Sequence, residues 1–184
     1  MKHKIIVTFA LSALLIAGGC AKKEKTLPVS GENVKSVATP ILNTDGKEIG
    51  EVSFAEADDG VTISILAEGI SPGVHGVHIH ETGVCTPPDF TSAGAHLNPT
   101  DKEHGFENPK GFHLGDLPNI EVGEDGKVSA KVTTTEITLK KNAENTVLDS
   151  DGSALVIHEE ADDYKTNPAG NSGDRVACAA ITSK

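Results

Sequence analysis

The chain has 184 residues, a formal net charge of −11, one tyrosine, no tryptophan and only 3% aromatic side chains. That length suits one domain, and the surplus of acid excludes the basic face that contact with nucleic-acid phosphates requires. An acidic surface also repels small anions unless a local positive patch offsets it.

In chain order, the first segment is residues 1–19, with Lys2 and Lys4, an apolar run from Ile5 to Ala17, and then Gly18-Gly19 before Cys20. It reads as a secretion signal, being short for a membrane span. A cysteine directly behind small residues resembles a bacterial lipoprotein cleavage site, with Cys20 as the lipidated first residue, although Ala17 stands where leucine is most usual. A plain signal peptide or an uncleaved anchor are the competing readings. Cleavage would remove Lys2 and Lys4 and no acid, leaving 14 basic and 27 acidic side chains and a net charge of −13. Residues 20–33, rich in Lys and Glu and poor in apolar side chains, read as a flexible tether. The remaining stretch, 34–184, is the domain.

Within the domain, apolar and polar residues alternate. Val61, Ile63 and Ile65 are interleaved with Thr62 and Ser64, and Val128, Ala130 and Val132 with Ser129, Lys131 and Thr133, the pattern of half-buried strands. Between such runs fall Asn43-Thr-Asp-Gly46, Asp58-Asp-Gly60, Ser71-Pro-Gly73, Glu124-Asp-Gly126 and Ser150-Asp-Gly152. Aspartate before glycine suits hairpins because both residues tolerate positive φ. The pattern predicts an all-β domain of roughly eight short strands, a sandwich or barrel. The alternation lapses from about Thr82 to Ile120, which holds five prolines and three histidines, and again from Glu159 to Asp174. Long loops on a β scaffold are where function gathers.

In Gly76-Val-His-Ile-His-Glu81, His78 and His80 share one face if the segment is extended, while Ile79 faces away. Both imidazoles can then converge on one cation. Downstream stand His96, His104, His113, Asp116 and His158, enough donors for two ions, and nitrogen-rich coordination suits copper or zinc better than calcium or magnesium. Taken singly, a histidine on a strand or loop is more often structural than ligating.

Export alters the reading of the cysteines, since disulfides persist outside the cytoplasm. With Cys20 lipidated, Cys85 and Cys178 most simply form one bridge, closing a loop for which chain entropy allows about 4 to 5 kcal/mol. Thiolate metal ligation competes with this reading, but neither cysteine has a second one nearby, as zinc-binding pairs do.

The segments Gly76-Val-His-Ile-His-Glu81, Gly94-Ala-His-Leu-Asn-Pro99, His104-Gly105, His113-Leu-Gly-Asp116, Val156-Ile-His-Glu159 and Arg175-Val-Ala-Cys178 strongly resemble the copper/zinc superoxide dismutases, over roughly residues 35 to 182. The resemblance implies an immunoglobulin-like Greek-key β-barrel of eight strands with two long functional loops. It makes His78, His80, His96 and His158 the copper ligands and His96, His104, His113 and Asp116 the zinc ligands, with His96 bridging. Asp162 matches a carboxylate linking a copper histidine to a zinc histidine; otherwise it is a solvated loop acid beside Asp163. His75 matches a residue that bonds backbone rather than metal. Arg175, the only arginine in the chain, would orient the substrate anion near the copper; its bland alternative is an ordinary surface position. Steering and near diffusion-limited turnover, for which this family supplies the reference cases, are implied by the resemblance alone.

The implied reaction is disproportionation of superoxide to dioxygen and hydrogen peroxide by Cu(II)/Cu(I) cycling, protecting against extracytoplasmic superoxide from a lipid-anchored position on a bacterial membrane. His96 would release copper on reduction, take up a proton and return it. The segment from Asp162 to Arg175 is shorter than in animal enzymes and lacks their Glu-Glu-x-x-Lys pattern; Lys165 has no clear counterpart there. The loop around Cys85 is arranged more as in bacterial members, which speaks against the eukaryotic dimer contact while leaving a homodimer among the partners to consider. Two rivals belong to other classes. A metal-storing lipoprotein on the same fold would not need every copper histidine, and a zinc hydrolase would need an open zinc position.

Overall fold

The computed structural model describes residues 35–183. The signal reading of 1–19, lipidation at Cys20 and the tether of 20–33 lie outside the described residues.

Strands β1 (Lys35–Asn43), β2 (Glu48–Ala57) and β3 (Gly60–Glu68) form a meander. They are followed by β4 (Gly73–His75) and β5 (Val77–His80), one run of chain interrupted only at Gly76. Then come β6 (Ile120–Val122), β7 (Lys127–Thr134), β8 (Ser153–His158) and β9 (Arg175–Ile181). Seven of them make an antiparallel sheet in the order β5-β8-β9-β1-β2-β3-β7, while β4 pairs with β6.

The small pair bridges the two edges of the large sheet. β4 runs directly into β5 at one edge, and β6 turns through Gly123 and Gly126 into β7 at the other. The result is a curled Greek-key β-barrel, which has eight strands when β4 and β5 count as one.

Alternation in the sequence becomes two faces in space. Val61, Ile63 and Ile65 on β3 have no exposed surface, whereas Thr62 faces outward and meets Thr133 of β7 at 3.1 Å. The apolar sides of the other strands complete one continuous core that includes Ile41, Val52, Phe54, Ile79, Leu155 and Ile157. At the turns it is glycine that takes positive φ, at Gly46 (76°), Gly60 (122°) and Gly126 (72°), and the aspartates before them do not. A residue without Cβ adopts that conformation at no steric cost.

The long connections fall where the alternation lapses: 81–119, broken only by the 3₁₀ turn Thr91–Ala93, and 159–174. A third, 135–152, was not anticipated from the sequence. It buries Ile137, Leu139, Val147 and Leu148 in the core. Its conformation is pinned by Glu56 of β2, whose carboxylate accepts the hydroxyl of Thr138 and the amide of Leu139.

Candidate metal centre

β5 carries the first two histidines, and all four of its residues are buried. Ile79 enters the apolar core from one face, so His78 and His80 project from the other, as extended backbone requires. The 81–119 connection doubles back along this strand. His80 pairs with His96 and His78 with Asp116 as antiparallel bridges, and three backbone bonds lock them: Ile79 N–H to Gly115 O (2.8 Å), Leu97 N–H to Ile79 O (2.8 Å) and Gly115 N–H to Leu97 O (2.9 Å). A Cβ on Gly115 would overlap the Ile79 carbonyl, so only glycine lets the loop lie this close.

His158 ends β8 opposite Arg175, which opens β9. Its amide donates to Gly76 O (2.9 Å), placing it beside His78.

Five buried side-chain atoms among the described residues lack a hydrogen-bond partner, and four of them are imidazole nitrogens: His78 Nδ1, His80 Nε2, His96 Nε2 and His158 Nε2. These same four residues present donor atoms within 4.8 Å of one another. Buried polar atoms are nearly always satisfied, so four converging orphans point to a missing common partner.

The opposite nitrogen of each ring explains which atom is left free. His78 Nε2–H donates to Asp162 Oδ2 (2.9 Å), His80 Nδ1–H to Gly94 O (3.0 Å) and His158 Nδ1–H to Gly173 O (3.2 Å). Acceptors at these positions select the tautomer whose other nitrogen carries a lone pair. Burial, the largest influence, keeps the rings neutral: it lowers His78 and His80, brings His96 to about 4 and His158 to about 3, the last two further depressed by neighbouring histidines.

A second cluster forms around one carboxylate oxygen. Asp116 Oδ1 lies 3.0 Å from His96 Nδ1, 3.1 Å from His104 Nδ1 and 3.2 Å from His113 Nδ1, and the His96 and His113 Nδ1 atoms are 3.2 Å apart. Donors about 2.0 Å from a tetrahedral ion sit roughly 3.3 Å from each other, so the spacing fits zinc. Asp116 Oδ2 is occupied elsewhere, accepting the amides of Gly105 (3.0 Å) and His113 (3.1 Å), which aims Oδ1 at the cluster. His78 lies alongside, but its two nitrogens are engaged with Asp162 and the first cluster. Only His96 contributes to both, through Nε2 to one and Nδ1 to the other.

Asp162 ties the clusters together. Its Oδ2 takes His78 Nε2–H, and its Oδ1 takes His104 Nε2–H, both at 2.9 Å. Burial opposes charge at His104, yet Asp116 and Asp162 on either side raise it to about 9. Burial likewise opposes charge on those two carboxylates, but bonds to histidines and amides hold both well below the usual range. In the metal-free protein a proton therefore occupies His104 where a dication would sit.

His75 stands apart, its two nitrogens facing the carbonyls of His158 (2.7 Å) and Ser71 (2.8 Å). Arg175 is held rigidly: Nη1 donates to Phe90 O and Nη2 to Gly94 O, each at 2.7 Å. The Cys85–Cys178 disulfide, with Cα atoms 5.7 Å apart, anchors this part of the loop to β9 three residues beyond Arg175. Gly94 O thus touches both Arg175 and His80. Arg175 faces a recess of about 490 Å³ shared with Asp89, Glu159 and Asp174. Lys165 forms a solvent-exposed ion pair with Glu107.

Every sequence-predicted residue within the described region joins this assembly. Asn119, Tyr164 and Gly170 were missed. Asn119 brackets the main chain of Asp162 with two 2.9 Å bonds, Tyr164 N–H donates to Asp162 Oδ1 (2.7 Å), and a Cβ on Gly170 would overlap that same oxygen. One signal was available: four of the chain's six aromatic side chains, Phe90, Phe106, Phe112 and Tyr164, fall in the two loops.

Comparison with known proteins agrees with this geometry. A family model described as copper/zinc superoxide dismutase (SODC) matches residues 48–181. The superoxide dismutase-like protein YojM of Bacillus subtilis is 46% identical, over 97% of this chain and 96% of its own length. The Cu-Zn superoxide dismutase 2 of Aquifex aeolicus is also 46% identical, over 77% and 83%. Among solved structures, a double mutant of an SOD-like protein from Bacillus subtilis, with a tyrosine and a proline exchanged for histidines, is 51% identical and superposes with a TM-score of 0.77 over 79% of this chain and 97% of that one. The Cu/Zn superoxide dismutase from Brucella abortus is 32% identical, with a TM-score of 0.65 over 80% and 99%.

Proposed function

The chain belongs to the copper/zinc superoxide dismutase family, and on that premise we propose that it disproportionates superoxide at a copper–zinc centre on the extracytoplasmic face of a bacterial membrane. His78, His80, His96 and His158 would hold copper, and His96, His104, His113 and Asp116 would hold zinc. The observation that carries this assignment is the set of four unpartnered buried nitrogens, one of them on the ring whose other nitrogen enters the tetrahedral cluster. The two positions exchanged for histidine in the Bacillus double mutant are as far apart in that chain as His80 and His96 are here.

Bound copper supplies one-electron oxidation of one superoxide and one-electron reduction of a second. The protein supplies the rest. The acceptors Asp162, Gly94 and Gly173 hold three copper ligands in their ligating tautomers, so no proton must move before an ion binds. His96 serves two ions only by losing both ring protons, which two nearby dications permit. Its Nε2, which has no protein partner, would be the base that takes up one proton and gives it to the reduced substrate, the second proton of the peroxide coming from solvent. Arg175, fixed by two carbonyls and permanently charged, docks the anion. His96, His104, His113 and Asp116 would offer zinc four protein ligands, through which it would shape the site and tune it by way of the shared ring.

Residues 1–19 act as a lipoprotein signal, Cys20 as the lipidated terminus, 20–33 as the tether and 34–184 as the enzyme domain. Support for this is the charged start, the apolar run and the Gly-Gly-Cys boundary in the sequence. A homodimer is the assembly to test, without the dimer contact of the eukaryotic enzymes.

The deciding experiment loads the full chain with copper and zinc and assays superoxide removal beside His158→Gln. Activity in the wild type and its loss in the variant are expected; an inactive, fully metallated wild type would overturn the assignment. Incorporation of a labelled fatty acid that disappears in Cys20→Ser tests the anchor.

A further inference from the structure

Tyr164, the only tyrosine of the chain, touches four parts of the site at once. Its amide donates to Asp162 Oδ1 at 2.7 Å, and its carbonyl accepts Glu107 N–H at 3.0 Å. Its hydroxyl oxygen accepts the amide of Asn119 at 2.7 Å, and its ring lies 5.7 Å from that of Phe106. Phe106 in turn lies 5.0 Å from Phe112, the residue before His113.

These contacts close a ring around Asp162. The Asn119 side chain clamps the Asp162 main chain through two bonds, the Asn119 amide reaches the Tyr164 hydroxyl, and the Tyr164 amide returns to the Asp162 carboxylate. The two long loops meet here, with Asn119 in one and Asp162 and Tyr164 in the other.

The backbone conformation adds weight. Tyr164 has φ of 60°, a left-handed conformation that strains a side-chain-bearing residue and is usually left to glycine or asparagine. A tyrosine held there is worth its strain only if its ring and hydroxyl are used. Phe106, 42% exposed, and Tyr164 form an aromatic contact on the outside of the loops, where a charged pair would serve solubility better.

We propose that Tyr164 is a positioning residue for the zinc half of the centre, acting through Asp162. Asp162 Oδ1 carries two donors, Tyr164 N–H and His104 Nε2–H. With that oxygen fixed, His104 must keep its proton on Nε2 and present Nδ1 to the cluster around Asp116. The copper side depends on the other oxygen, through His78, and is braced less directly. This inference rests on the metal assignment proposed above.

The test uses the full, copper- and zinc-loaded chain and Tyr164→Phe, which keeps the ring and amide but removes the acceptor for Asn119 N–H. Two readouts are followed: the rate of zinc release to a chelator, and the visible bands of Co(II) placed at the zinc position. Zinc release about tenfold faster is expected, the low end of what partners behind the ligands contribute, with shifted Co(II) bands and a nearly unchanged Cu(II) spectrum. In an Asp162→Asn background the same substitution should add nothing, because its effect passes through that carboxylate.

A lower melting temperature with unchanged zinc release and Co(II) bands would reduce Tyr164 to a packing residue and overturn the proposal, as would effects that add in the double variant. If Tyr164→Phe does not fold, Phe106→Leu must move both readouts in the same direction by a smaller amount, and no movement counts against the proposal. A wild type that binds no zinc overturns the metal assignment and this inference together. A wild type that binds zinc while the variant matches it overturns this inference alone.

Discussion

The connections 81–119 and 135–152 are both long and nearly free of regular structure, and both bury apolar side chains, yet only the first also buries a polar cluster. The second inserts Ile137, Leu139, Val147 and Leu148 into the core and secures its backbone on Glu56. The first also buries Phe90, Ala93, Leu97 and Leu117 and is tied down by backbone bonds and a disulfide, but it carries His96, His104, His113 and Asp116, all buried, and His96 Nε2 has no partner without an ion. Burying apolar surface stabilises a loop under any conditions that keep the fold intact. Burying polar atoms stabilises only when their partners are present. One loop is therefore held by apolar burial throughout, whereas the polar, histidine-bearing part of the other gains its last partners only from metal.

Chelation should separate the two most sharply. Each ion supplied about a thousandfold above its dissociation constant contributes about 4 kcal/mol through linkage. Stripping both should lower the melting temperature and raise amide hydrogen exchange across 81–119 and 159–174, while 135–152 stays protected. Equal exchange in all three connections would break the comparison.

Cys85→Ser comes next. The bridge spans 93 positions, and losing it should cost up to about 4 to 5 kcal/mol in denaturant unfolding. It should also lower activity, because the carbonyls of Phe90 and Gly94 that hold Arg175 belong to the tethered segment. An unchanged melting temperature would count against the bridge as the anchor.

Leu139→Ala tests the other connection. Deleting a buried leucine side chain, here 1% exposed, costs about 3 kcal/mol. Stability should fall with metal stoichiometry and the Cu(II) spectrum preserved. Altered metal binding would show that the two connections are coupled.

Acidity makes the smallest and most graded distinction, measured on the metal-free protein. His96 and His158 stay neutral when folded, down to about 4 and about 3, whereas the unfolded chain takes up protons near 6.5. The unfolded state binds more protons as pH falls, so their contribution is complete above about 6.5 and is lost toward 4 and 3, at about 1.4 kcal/mol per pH unit per group. His104 has the reverse sign. Raised to about 9, it stabilises fully below about 6.5 and loses that contribution as pH rises to 9. Urea midpoints across pH 4 to 9 should show both flanks, and a flat profile would remove the electrostatic half of the comparison.

Much of this was legible before any coordinates. Alternation around Val61 and Val128 marked β3 and β7, its lapse marked two of the loops to within a residue or so, and the family resemblance pointed to His96, His104, His113 and Asp116 as donors. The connection 135–152 escaped notice because its apolar residues follow no single period, and burial of irregular chain is visible only once the barrel that receives it is built. Asn119 and Tyr164 escaped because each matters through a partner 43 or 45 positions away. Asparagine and tyrosine carry no chemistry that announces such a role.

Residue order was enough to specify which atoms are available: seven donors, one arginine, one pair of cysteines and the strands that carry them. Periodicity and ligand chemistry are local properties, so they can be read along the chain. Which nitrogen of each ring faces an ion was decided only in three dimensions. Carbonyls of Gly94 and Gly173 and the carboxylate of Asp162, all remote from the histidines they contact, occupy one nitrogen and thereby free the other. Hydrogen-bond geometry is a property of the folded surroundings, and it turns a set of histidines into two clusters sharing one ring.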